Sequence, residues 1–163
     1  PTTIEFQNKN SLDIKGVEIE SKFTFKKNWY FTGSFSYQTN KDGDGVKNFT
    51  LQPNRIYKVG LGYTDKEWSI GIFDSYIDQY LDNTILTDIS EKFHPSPKAY
   101  HHLSVKASMT LPDFYDIKVN AYADNLLDEE SYLPVHSNSA SHRHNTTHAG
   151  SGRFFMLGIT VPF

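Results

Sequence analysis

The sequence contains no cysteine in its 163 residues. That removes disulfides, thiolate zinc sites and cysteine nucleophiles together, and it fits an oxidising compartment. No stretch reaches the ~18 consecutive apolar residues of a membrane-crossing helix. An excess of basic residues is also missing: 16 Lys and Arg stand against 19 Asp and Glu, a formal net charge of -3. Nucleic-acid binding finds no support in that balance. Mean hydropathy is low, at -0.54, with 37% of residues apolar, and by itself points to a water-soluble chain. No secretory leader is visible at Pro1-Thr2-Thr3-Ile4, which implies either its removal or a chain that is the tail of a longer protein. Catalytic arrangements are lacking too. No Ser/His/Asp set, phosphate-cradling glycine loop or paired carboxylates stand out, so an enzyme is not expected.

What the chain does have is aromatic side chains, 15% of the total, with 10 Tyr and 12 Phe. They fall into a period of two. Counting back from the end, Phe163, Val161, Ile159, Leu157 and Phe155 interleave with Pro162, Thr160, Gly158, Met156 and Phe154. The same alternation recurs in Val17–Phe25, Trp29–Gln38, Tyr57–Thr64, Glu67–Ile72, His102–Leu111 and Ile117–Asp124. Such a pattern predicts antiparallel strands with one greasy and one wet face. No convincing helix is found. A transmembrane barrel has this composition, because half of each strand faces a polar lumen and aromatics gather at both interfaces.

The connections alternate short and long. Tight links are expected around Lys26-Lys27-Asn28, Thr64-Asp65-Lys66 and Pro112-Asp113-Phe114, and polar loops near 40–54, 79–98 and 127–151. This is the asymmetry of outer-membrane barrels, whose periplasmic turns are short and whose extracellular loops are long. Seven full strands are expected, with one partial strand at Ile4 to Gln7. Past Ile72 the greasy set runs into Asp74. A bulge or an early exit from the bilayer is predicted there, with Asp74 above the membrane or turned inward. The inward charges Glu18, Glu20, Lys22, Lys58, Lys106, Lys118 and Asp124 call for a wet interior or a plugging domain. A soluble sandwich or lipocalin-like barrel also alternates, with its apolar face inside. The loop rhythm and the aromatic ending favour the membrane form.

Two segments carry a family resemblance. Asn125-Leu126-Leu127-Asp128, followed by Tyr132 and later by Gly152-Arg153-Phe154-Phe155 and Phe163, resembles the C-terminus of TonB-dependent outer-membrane receptors. Ile14-Lys15-Gly16-Val17-Glu18-Ile19-Glu20 resembles that family's Lys/Arg-Gly-Val-Glu strand, some seven strands before the end. The resemblance implies that residues 1–163 are the last seven to eight strands of an all-β barrel of roughly twenty-two strands. The plug domain would lie outside this chain. It further implies a receptor of the Gram-negative outer membrane, importing a ferric siderophore, haem or metal ion with energy from TonB–ExbB–ExbD acting through the plug. Gly152, Arg153, Phe155 and Phe163 would form the closing strand, with Phe163 read by the barrel-assembly machinery. The rivals are a complete eight-stranded outer-membrane barrel with a structural or adhesive role and a soluble ligand-binding barrel.

The candidate cargo-contacting residues are histidines with one arginine. The 135–148 loop holds His136, His142, Arg143, His144 and His148, and His102 stands at another strand mouth. Neutral imidazole suits zinc, copper, nickel and iron, so His142, His144 and His148 are the candidate metal ligands. A solvated loop rich in Ser, Asn and His is the plainer reading. No intrinsic cofactor is expected; a transported metal chelate or haem is the expected ligand. If Leu103 faces lipid, His101 shares that face near the interface and His102 points into the lumen. Asp42-Gly43-Asp44-Gly45 lacks the later bidentate acid of a calcium loop and reads as a glycine-rich hairpin loop.

Overall fold

The computed structural model describes residues 11–45, 47–48, 52–80, 97–134 and 146–162. Seven strands form one antiparallel sheet: β1 (Asp13–Phe25), β2 (Trp29–Lys41), β3 (Arg55–Thr64), β4 (Trp68–Ile77), β5 (Tyr100–Leu111), β6 (Ile117–Asp124) and β9 (Phe154–Thr160). A separate ladder pairs β7 (Tyr132–Pro134) with β8 (Thr146–His148) at the foot of the third long connection, where the sequence suggested only loop. The only helical turn among the described residues is the 3-10 turn Pro112–Phe114. The sheet is open, with β1 and β9 at its edges. The expected partial strand at Ile4 to Gln7 lies outside the described residues, as does Phe163. The last strand ends at Thr160, three residues before the alternation does.

Three sequential pairs, β1–β2, β3–β4 and β5–β6, are joined by tight turns. The first takes Lys26 and Lys27 through positive φ (46° and 60°). Non-glycine residues seldom adopt that region; here it reverses the chain within three residues so that Phe25 can face Trp29. At the second turn Asp65 accepts hydrogen bonds from the Glu67 and Trp68 amides at 2.9 and 2.7 Å and from the Tyr63 hydroxyl at 2.5 Å. At the opposite end, Asp42 accepts the Asp44 amide at 3.0 Å and Gly45 turns at φ 83°. This is the hairpin loop expected of the Asp42–Gly45 run.

The register puts the apolar residues of all seven strands on one face. Phe23, Phe31, Leu61, Ile72, Val105, Ala123 and Phe155 stand side by side in successive strand pairs. Among the described residues no protein layer covers them. Phe23 is 63% exposed, Leu157 80% and Ile159 73%, and Tyr132 is the one large apolar side chain buried among the described residues. A soluble sandwich would hide this face against a second sheet, and an apolar surface of this extent in water would associate. It matches hydrocarbon instead.

Two aromatic belts bound the face. Near the tight turns, Trp29 lies 6.4 Å from Phe25 and 5.3 Å from Tyr63 between ring centroids. Near the long loops, Phe35–Tyr57, Tyr57–Tyr76 and Tyr76–His101 follow at 5.1, 5.7 and 5.0 Å. On β4 the belts are marked by Trp68 and Tyr76. The eight-residue step between them is about 27 Å of strand, or about 20 Å along the membrane normal at ~40° tilt. That is comparable with the ~25 Å apolar band of a membrane barrel.

On the other face, Tyr30 lies over Gly62 and Phe73 over Gly60 and Gly71. A Cβ on Gly62 would meet the Tyr30 ring, and one on Gly60 would stand 2.5 Å from Phe73 Cδ1. Absent side chains in these strands make room for two rings lying flat on the wall.

The expected bulge and an inward-turned Asp74 are corrected here. β4 pairs without interruption from Ser69 to Ile77, so there is no bulge at Asp74. Asp74 keeps the parity of Ile70 and Ile72 and stays on the apolar face, opposite Val59 and Leu103. It is tolerated because it lies two residues from the Tyr76 belt, where a charge on the lipid face costs little. It also has a partner: His101 Nδ1 stands 2.8 Å from its Oδ2.

Candidate functional site

Chemistry-bearing residues gather where β5, β6 and β9 reach the long-loop end. His101 and His102 are consecutive in β5, so a period of two sends them to opposite faces. His101 joins the apolar face, hydrogen-bonded to Asp74 and packed on Tyr76. His102 takes the inward face, where its Nε2 lies 2.9 Å from Asp124 Oδ1. Tyr122, two residues before Asp124 and on the same face, donates its hydroxyl to that same oxygen at 2.7 Å. The Tyr122 ring then meets Phe154 edge-on at 5.7 Å. Both histidines thus have a carboxylate that can orient the ring. Parity counting alone places each pair on a common face, but the sequence reading did not join either histidine to its acid.

Just beyond β6 the chain turns at Asn125, which is 3% exposed and has φ 47°. Its side chain closes a ring with residue 129: Nδ2 donates to the Glu129 carbonyl and Oδ1 accepts the Glu129 amide, both at 3.0 Å. An amide side chain can do both, whereas a carboxylate cannot donate. The Leu126 amide bonds the Leu103 carbonyl at 2.9 Å and ties the turn to β5, and Leu127 is 48% exposed. Asp128, also at positive φ (56°), accepts the Arg153 amide at 3.0 Å, with the guanidinium 3.8 Å away. Gly152 sits beside this contact, its hypothetical Cβ 3.4 Å from Asp128 Oδ1. The Asn125–Asp128 and Gly152–Arg153 segments, 24 residues apart from Asp128 to Gly152 in sequence, are therefore one clip that starts β9 next to β6. Phe155 then follows on the apolar face.

Tyr132 anchors the small ladder. It is 9% exposed, donates to Glu130 Oε2 at 3.1 Å, and packs on His148 with centroids 4.6 Å apart. His148 is thus placed at the base of the histidine-rich loop. His136, His142, Arg143 and His144 lie outside the described residues. Among the described residues no group of three or more His, Asp or Glu side chains could hold a metal ion.

The architecture defines a class: an open antiparallel wall with one lipid-suited face, as found in large membrane barrels. Comparison with solved structures agrees. The chain superposes on the copper transporter OprC with a TM-score of 0.67 at 20% identity, over 94% of its own length and 24% of that chain. It superposes on a chain of the FpvAI–pyocin S2 complex with a TM-score of 0.68 at 15% identity, over 90% of its length and 19% of that chain. Both are TonB-dependent receptors. At this identity the likeness concerns the fold, and the chain spans a quarter or less of each neighbour. No protein-family model and no curated protein matches the sequence.

Proposed function

We propose that this chain is the C-terminal wall segment of a TonB-dependent receptor in the outer membrane of a Gram-negative bacterium. The receptor takes up a scarce metal complex: a ferric siderophore, haem or a metal ion. In this reading β1 to β6 and β9 supply wall, the three long connections supply extracellular loops, and β9 pairs with the first strand of the barrel. A plug domain outside this chain fills the lumen and receives the pull of TonB–ExbB–ExbD. The observation that carries the reading is the uncovered apolar face between two aromatic belts, on a sheet shared with two receptors of this kind. The clip between Asn125–Asp128 and Gly152–Arg153 supports it, because it gives the resemblance motif a structural task. Cargo contact is assigned to the histidine loop, with His142, His144 and His148 as metal-binding candidates and His136, Arg143 and His102 beside them.

Two measurements test the reading separately. Resistance of the full-length protein to carbonate and high-salt extraction is expected; release into the soluble fraction would overturn the membrane assignment. Growth under iron, copper, zinc or haem limitation is then compared between the wild type and a His136, His142, His144 and His148→Ala variant. Loss of uptake of one cargo is expected. Unchanged uptake of all four would remove the histidines from the cargo site.

A further inference from the structure

The apolar face changes character at its long-loop end on β1 and β2. Val17, Tyr37 and Arg55 face one another across three strands. One step further the row becomes Lys15 and Thr39, and the next is Asp13 and Lys41. An isolated bridge sets Lys47 opposite Lys41. Residues directly opposite in an antiparallel pair share a face. Lys15, Lys41, Lys47 and Arg55 therefore lie on the same side as Val17, Ile19 and Phe23, and all four cations are exposed.

Asp13 lies 3.4 Å from the Lys15 ammonium and 3.8 Å from that of Lys41. Among the residues that line the cleft at this corner, three lysines stand against this one acid. The cleft is about 380 Å3 in volume, lined among others by Lys15, Thr39, Lys41 and Lys47. Glu18 and Glu20 alternate to the inward face and cannot neutralise it. A further strand hydrogen-bonded to the free edge of β1 would extend the sheet sideways and leave this face open.

The position of the patch selects its occupant. Cations that stand just beyond an aromatic belt, above an apolar wall and on the same side as that wall, meet lipid headgroups. A loop cluster facing water would have no apolar surface continuous with it. We propose that Lys15, Lys41 and Lys47 bind the phosphate of an anionic membrane lipid, whose acyl chains lie on Val17, Ile19 and Phe23. Lys15, the cation of the Lys15-Gly16-Val17-Glu18 segment, thereby acquires a task that transport does not give it. Arg55, one row lower, stands opposite Asp78 and is left out of the site. The inference rests on the membrane-wall reading above, but it fails independently: an intact membrane protein indifferent to anionic headgroups sinks this proposal alone.

The test uses the full-length protein in neutral detergent, titrated calorimetrically with short-chain phosphatidic acid, short-chain phosphatidylcholine and inorganic phosphate. The wild type is expected to bind the first in preference to the other two. A Lys15→Gln, Lys41→Gln, Lys47→Gln variant should lose on the order of a hundredfold in affinity, about fivefold for each lysine. Asp13→Asn should tighten binding several-fold. Lys26→Gln, Lys27→Gln, Lys66→Gln makes the same change in net charge at the opposite rim and should bind as the wild type does. Heat-modifiable electrophoretic migration checks that each variant is folded. Equal affinity for the two lipids, or equal loss in both triple variants, overturns the proposal. Inorganic phosphate binding as tightly as phosphatidic acid overturns the lipid assignment and leaves a plain anion site.

Discussion

Replacing Ile72 by arginine tests which side of the wall meets lipid. Ile72 lies four residues from Trp68 and four from Tyr76, midway between the belts, with Leu61 and Val105 as its cross-strand neighbours. It is 45% exposed in this chain. If the face lies in hydrocarbon, an arginine at that height costs about 2–4 kcal/mol, a factor of roughly thirty to a thousand in the folding equilibrium. If the same face were wetted by water, an exposed substitution would stay within about 0.5 kcal/mol. Ser34→Arg is the matched control. Ser34 is on the inward face between Glu20 and Lys58, where a new cation gains one acid, repels one base and keeps water. Its effect should remain below about 1 kcal/mol. Denaturant unfolding of the full-length protein in vesicles, followed by tryptophan fluorescence, reads both. An Ile72→Arg variant as stable as the wild type, or a Ser34→Arg variant less stable than Ile72→Arg, would refute the assignment of faces.

Gly62→Ala forces a methyl into the Tyr30 ring and should destabilise by about 1–3 kcal/mol; adding Tyr30→Ala should restore most of it in the same unfolding assay. Asp128→Ala leaves the Arg153 amide without its acceptor, a loss of about 1 kcal/mol that should speed proteolysis within 129–151 about fivefold while global unfolding is unchanged. The hydrogen bond from Tyr63, followed by those from the Trp68 and Glu67 amides, holds the Asp65 carboxyl below its ordinary value of 3.8. A lowered folded pKa stabilises the turn above 3.8, and this contribution fades as the pH falls through the folded value. Hydrogen exchange at the Trp68 amide should accelerate in that acid window relative to a neutral turn, and Asp65→Asn should abolish this pH dependence.

Strand number, parity and the alternation of tight and long connections were legible because a period of two is a local property. A side chain at i+2 shares a face whatever the strand pairs with. Thus Val17, Phe31, Leu61, Ile72 and Val105 could be assigned to one face from the chain alone. Register is not local. Nothing within β4 says that Asp74 will stand diagonal to His101, and the lone carboxylate in a greasy run suggested a bulge. The β4–β5 pairing, which sets Asp74 opposite Leu103 and Tyr76 opposite His101, decides otherwise. The same holds for Asp128 and Arg153, whose contact depends on how the long connection returns. Family resemblance could put both in one motif but could not give them a bond. The ladder between Tyr132–Pro134 and Thr146–His148 was missed because three-residue strands are too short to display a period.

Parity also limits what the histidines can do together. His101 and His102 are adjacent, so each serves a different medium. The outer one is tied to Asp74 beside the Tyr76 belt; the inner one is tied to Asp124 and Tyr122 on the opposite face. No single cargo on one side of the wall can be held by both. Of the two β5 histidines, His102 is the one on the inward face, and it stands there with a carboxylate behind it. His148 is the histidine of the 135–148 loop among the described residues, and its ring packs on Tyr132. The wall itself separates an outward face of lysines and aromatic belts from an inward face carrying His102, Tyr122 and Asp124.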